Sequence, residues 1–129
     1  MSVANHKKTN TEIIRNSLVI ESIKIIKEIN PRFFVFENVP AFMKTVCTDI
    51  DGVDKTIAEA IENNLEQKYS YTHRIINFKN YGACSSRQRT LVIGVAKEYA
   101  DEISPFELYP DLVPEKTLRE VIWMSIVII

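Results

Sequence analysis

From about residue 12 to 29 apolar side chains recur every three to four positions. Val19, Ile23 and Ile26 make one stripe, Leu18, Ile25 and Ile29 an adjoining one, and Glu21, Lys24 and Glu28 the opposite face. That period is helical. "TNTE", residues 9–12, reads as a capping box at the start of this helix, after a polar and frayed stretch over residues 1–10. Asn30-Pro31 ends it, because the residue before proline avoids the helical region. "RFFVF" then predicts a short strand buried on both faces, of the kind found in parallel sheets. Residues 38–52 read as a loop broken by Pro40 and Gly52. Asp51 can cap a second helix over about residues 53–69, with Val53, Ile57, Ile61 and Leu65 along one face. "YTHRIINF" (71–78) predicts a strand, "NYGACSSRQR" (80–89) a polar loop around Gly82, and "TLVIGVA" (90–96) another strand buried on both faces.

Beyond Lys97 the pattern weakens. "SPFELYPDLVP" carries three prolines and reads as an extended connection, and "TLRE" (117–120) is a second capping box. The closing "WMSIVII" is unlike a capped ending. Helix, strand, helix, strand, strand is an α/β arrangement. The last two strands are joined by a loop without a helix, so they pair antiparallel.

Composition narrows the class. The 129 residues suffice for one modest domain, and 46% apolar with 26% charged residues argues against disorder. The net charge of −1 shows no global basic field, which leaves room for a local nucleic-acid site. Cys47 and Cys84 form no C-x-x-C pair and the two histidines have no zinc spacing, so no metal site and a reduced compartment are expected. The polar start "MSVANHKKTN" lacks the apolar core of a signal peptide, so none is expected, and no apolar run reaches the roughly 18 residues of a membrane span.

Two segments carry candidate chemistry. "FFVFENVP" drives a greasy strand into Glu37 and Asn38, and in α/β sheets ligands gather at the carboxyl ends of strands. In "YGACSSRQR", Arg87 and Arg89 alternate, so they share a side if the strand has begun, with Gln88 opposite. Each segment alone reads rather as an ordinary solvated loop or pair of arginines.

Together they strongly resemble the DNA cytosine-5 methyltransferases, over roughly residues 12–122. "RNSLVIESIKIIKEINPRFFVFENVP" is similar to that family's run from its fifth motif (Arg15 to Glu21) into its sixth (Glu37-Asn38-Val39), and "NYGACSSRQRTLVIG" to its eighth. "TLRE" resembles the approach to the target-recognition region. The resemblance implies part of a Rossmann-like, S-adenosylmethionine-dependent methyltransferase fold: the C-terminal half of the mixed sheet, ending in an antiparallel strand pair. Residues 1–104 would be half of the catalytic domain and 105–129 a connection cut short, in a chain that starts mid-domain.

The same resemblance implies the chemistry. The target cytosine is flipped out of double-stranded DNA. A cysteine thiolate adds to C6, and C5 then attacks the methyl group of S-adenosylmethionine. Glu37 would contact N3 and the exocyclic amine, and must be protonated to donate at N3, so burial is expected to raise its pKa. Arg87 or Arg89 would contact O2, with Arg89 ahead. Asn38 would support the loop, as would Ser85, which stands where the family has Gln. The family's Pro-Cys nucleophile is absent: Cys47 follows Val46, and Cys84 stands where the family has Pro. Three glycines, Gly52, Gly82 and Gly94, cannot build the cofactor loop. The expectation is therefore a bacterial, cytoplasmic restriction-modification fragment, inactive without a second polypeptide that carries loop and nucleophile, or a truncated gene product. A transfer-RNA cytosine-5 methyltransferase relative and a non-catalytic interaction module are the alternatives.

Overall fold

The computed structural model describes residues 10–127, with side chains described over 16–122; the capping box expected at 9–12 and the polar start lie outside the described residues. In chain order the elements are α1 (Asn10–Ile29), β1 (Phe33–Asn38), β2 (Val46–Thr48), β3 (Asp54–Thr56), α2 (Ile57–Leu65), β4 (Tyr69–Asn77), β5 (Gln88–Ala96) and α3 (Leu118–Val127), with short 3-10 turns between them. They form two interleaved compact units: residues 1–31 with 41–68, and 32–40 with 69–129. No helix among the described residues is long and apolar enough to cross a membrane.

In the first unit α1 packs against α2 and the β2 strand. Val19, Ile23 and Ile26 are buried as expected, but the adjoining stripe is not: Leu18, Ile25 and Ile29 remain exposed. They lie about 100° round the helix from the buried stripe, whereas Ile20, the same turn to the other side, is buried. The core therefore spreads to one flank of the helix. Asn30 ends it at φ 50, with its N–H donating to the Ile26 carbonyl at 2.9 Å, a left-handed position that Asn tolerates.

The region expected as loop contains β2, which pairs antiparallel with β3. Gly52, at φ 80, turns this hairpin, and Val53 is exposed rather than helical. The second helix accordingly starts at Ile57, not near 53, and Asp51 is not its cap. Thr56 is: its Oγ1 accepts from the Glu59 N–H at 3.2 Å, while the Glu59 carboxylate accepts from the Thr56 N–H at 2.8 Å. Asp51 instead accepts from the Val53 N–H at 3.0 Å and pairs with Lys55 at 2.8 Å. Ile57, Ile61 and Leu65 are buried with Ala60, Phe42 and Met43.

Asp49 locks the hairpin to α2. Its carboxylate, 3% exposed, meets Lys55 Nζ at 2.9 Å, the Ile50 N–H at 2.7 Å and Asn64 Nδ2 at 2.7 Å. Burial alone would raise this carboxyl; the Lys55 ammonium and the two N–H donors outweigh it and hold it below the ordinary value. A depressed carboxylate contributes stability that is complete above about pH 5 and is lost as pH falls through its folded value. Asp49→Asn is expected to cost about 1.5 kcal/mol at neutral pH and to flatten the loss of stability below about pH 4. Urea unfolding at both pH values measures this; an unchanged acid limb would show that Asp49 is not its source.

In the second unit three strands run in the order β1-β5-β4, both pairs antiparallel. The expected antiparallel pairing of the last two strands is found. The expectation for β1 is corrected: it pairs antiparallel with β5, and Phe33 and Val35 are exposed while Phe34 is buried, so among the described residues it is covered on one face. β5, flanked by a strand on either side, buries Thr90, Val92, Ile93 and Val95. The proline-rich connection is anchored to this sheet. The buried Tyr109 donates its hydroxyl to the Leu91 carbonyl at 3.1 Å, and the Arg74 guanidinium lies over the rings of Tyr109 (4.7 Å) and Phe106 (5.3 Å). The box expected at 117–120 opens α3: Thr117 Oγ1 accepts from the Glu120 N–H at 3.3 Å, and Glu120 from the Thr117 N–H at 2.7 Å.

Candidate active site

Side chains alternate across a strand, so the antiparallel register decides which residues share a face. Glu37 stands opposite Leu91, and Leu91 opposite Arg74. Arg89, two residues before Leu91, lies on that same face. Glu37 Oε1 meets Arg89 Nε at 3.2 Å, with 48% of the glutamate side chain and 21% of the arginine side chain exposed. Arg89 Nη1 also donates to the Gln88 carbonyl at 2.7 Å, a second anchor for the guanidinium. Two segments fifty residues apart in sequence thus meet in one ion pair at the open end of β1.

The sequence candidates separate here. β5 begins at Gln88, so Arg87 is still in the loop and exposed, and only Arg89 reaches Glu37. The burial expected around Glu37 is not supplied by the described residues. Asn38 Oδ1 accepts from the adjacent Val39 N–H at 2.8 Å, which shapes the turn after the strand. Ser85 is exposed at the loop tip, and its neighbour Ser86 takes a bond from Asn77 Nδ2 at 2.9 Å. Cys47 is buried and Cys84 exposed.

Sequence reading passed over two residues that shape the site. Thr90, 1% exposed, donates through Oγ1 to the Pro40 carbonyl at 3.1 Å and ties the exit of β1 to β5. Nothing in a Thr among apolar strand residues signals a partner fifty positions away. Asn77, the last residue of β4, accepts from the Lys79 and Arg87 N–H groups. The preference of Asn for turn starts could have marked it.

Comparison with known proteins bears on what this end of the sheet does. Residues 1–124 match the family described as C-5 cytosine-specific DNA methylase. The chain belongs to the C-5 cytosine-specific DNA methylases. The chain is 32% identical to the Type II methyltransferase M.FnuDI of Fusobacterium nucleatum over 111 residues, 84% of this chain and 30% of that protein. It is 31% identical to the orphan methyltransferase M.SPRI of Bacillus phage SPR over 97 residues, 75% of this chain and 20% of that protein. A crystal structure described as a DNA modification methyltransferase encoded within an E. coli prophage superposes with a TM-score of 0.66 at 25% identity, covering 85% of this chain and 30% of that one. This C-5 cytosine-specific DNA methylase chain thus spans less than a third of the length of the relatives it matches. The family is one of enzymes that use S-adenosylmethionine, and the matched residues include both Glu37 and Arg89.

Proposed function

We propose that this chain supplies the part of a DNA cytosine-5 methyltransferase active site that grips the flipped cytosine. The Glu37–Arg89 pair carries the reading. It sets a carboxyl and a guanidinium side by side at the end of β1, within residues that match the family, and together they offer a base edge both donors and acceptors. Cytosine presents acceptors at O2 and N3 and a donor at its exocyclic amine. Arg89 donates to O2. Glu37, acting as an acid, donates to N3 and accepts from the amine. That proton draws the ring electrons toward N3 and makes C6 open to a thiolate. Asn38 holds the turn beneath Glu37. Arg87, exposed on the neighbouring loop, is free to meet the DNA backbone.

In this reading neither cysteine is the thiolate, since Cys47 is buried and neither cysteine follows a proline. On the same reading the loop that holds the methyl donor also lies elsewhere. Gly52 and Gly82 sit in separate turns, and Gly94 lies beneath the Phe34 ring, so the described residues form no glycine-rich cradle. In this reading residues 1–104 belong to the C-terminal half of the catalytic domain and 105–129 lead toward target recognition. Cofactor loop and Pro-Cys nucleophile lie on another segment, whether of one polypeptide or of a partner chain, and double-stranded DNA is the substrate. The test combines this chain with such a segment and follows label from S-adenosylmethionine to cytosine C5 in a duplex. Transfer that depends on both Glu37 and Arg89 is the expected result. Transfer that survives their joint replacement overturns the reading.

A further inference from the structure

We infer that Asn77 is the positioning residue that sets the start of β5 and thereby aims Arg89, rather than Gln88 or Arg87, at Glu37. The problem it solves is one of register. Residues 78–87 form a polar loop between two antiparallel strands, and the segment after it reads Arg87-Gln88-Arg89. Because side chains alternate, a slip of one residue turns every side chain of a strand to the other face. Such a slip at this hairpin would put Gln88 on the Glu37 face and send Arg89 to the opposite one. A slip of two would present Arg87 in its place. Backbone hydrogen bonds alone tolerate all three registers, since each offers the same N–H and C=O groups.

Asn77 distinguishes them. It is the last residue of β4, opposite Gln88 in the ladder. Its Oδ1 accepts from the Lys79 N–H at 3.2 Å, at the start of the loop, and from the Arg87 N–H at 3.1 Å, at its end. Its Nδ2 donates to Ser86 Oγ at 2.9 Å. One short side chain therefore grips both ends of the loop, two residues before Arg89. The Phe78 N–H to Arg87 C=O bond, at 3.0 Å, closes the same base. Gly82, at φ 93, makes the intervening turn, and the Val113 N–H donates to the Asn80 carbonyl at 2.8 Å. The Thr90 bond to the Pro40 carbonyl and the Phe34 ring over Gly94 fix β5 against β1 farther along, and among side chains of this loop Asn77 is the one that binds both its ends.

Asp keeps the Oδ1 acceptor at the same reach and can accept from the Ser86 hydroxyl. Gln keeps every donor and acceptor but sets them one methylene farther out. Ala removes them. The full chain carrying Asn77→Asp, Asn77→Gln or Asn77→Ala is compared with the unmodified chain by urea unfolding and by hydrogen exchange at the Arg87 amide and Arg89 Nε. Exchange at both sites is expected to rise about tenfold beyond any change in global stability in Asn77→Gln and Asn77→Ala, and to stay near the unmodified rate in Asn77→Asp. Exchange that merely tracks global stability in all variants overturns the inference. Should Asn77→Ala fail to fold, the contrast between Gln and Asp decides.

The second arm rests on the proposed cytosine grip and is run beside Glu37→Gln in the assembled methyltransferase. Asn77→Gln should lower kcat by about tenfold to 10²-fold through misaiming of Arg89, with a smaller change in KM for the duplex, and Asn77→Asp should restore it. An unchanged kcat in Asn77→Gln beside a slowed Glu37→Gln overturns the inference alone. An unmodified rate in Glu37→Gln sinks the cytosine grip instead, and Asn77 is then judged by the exchange arm.

Discussion

Replacing Glu37 by Gln in the assembled methyltransferase is expected to slow methyl transfer by about 10²–10⁴-fold, or roughly 3–5 kcal/mol of barrier, while duplex binding changes little. Gln keeps the shape of Glu and still offers hydrogen bonds to the base edge. It cannot pass a proton toward N3, so the interaction it loses is one that strengthens as the ring takes up the thiolate. Losses confined to the transition state appear in kcat rather than in binding. On the proposed grip, Arg89→Ala should also impair turnover, because O2 would lose its donor, and Glu37 loses its partner at 3.2 Å. The measurement is methyl transfer at saturating cofactor and duplex, beside a binding titration on the same duplex. A rate for Glu37→Gln equal to the unmodified one would reduce Glu37 to a loop residue.

The second large effect is structural and sits on the strand that delivers Glu37. Phe34 faces Gly94 across the β1–β5 ladder, and its ring lies over the glycine so closely that a Cβ there would enter the ring. The ring cannot simply swing away. It is 7% exposed and packs edge-on to Tyr69 at 5.2 Å and tilted to Phe36 at 5.3 Å. Gly94→Ala is therefore expected to destabilise the protein by about 3 kcal/mol, the upper end of the usual cost of forcing extra atoms into a packed core. Adding Phe34→Leu, whose smaller side chain vacates part of the space, should recover some of that loss, so the two changes are non-additive. Urea unfolding of the four members of the cycle reads this out. A Gly94→Ala protein within about 0.5 kcal/mol of the original would mean that the ring relocates freely and that β1 is not pinned there.

Much of this protein was readable along the chain. The α1 period, the Asn30-Pro31 stop, the strand runs, the loop around Gly82 and the Thr117 capping box all rest on local chemistry: side-chain period, proline geometry and hydrogen bonds within a few residues. Glu37 and the Arg-x-Arg pair stood out only when taken together, through the resemblance of both segments to one family; alone, each read as a solvated loop. Tertiary structure decided what depends on partners far away in sequence. Gly52 turned the stretch after Asp49 into a hairpin, so Val53, though in phase with Ile57 and Ile61, never joined the helix. Leu18, Ile25 and Ile29 matched the helical period as well as Ile23 did, and only packing against α2 and β2 determined which flank was covered. The choice of Arg89 over Arg87 could not be read from an alternating pair. It follows from the register of β5 against β1, which sets Glu37 opposite Leu91 and so on the face of Arg89. Hydrophobic period specifies an element and its faces; which face is covered, and which polar residue meets another across fifty positions, is set by strand register and packing.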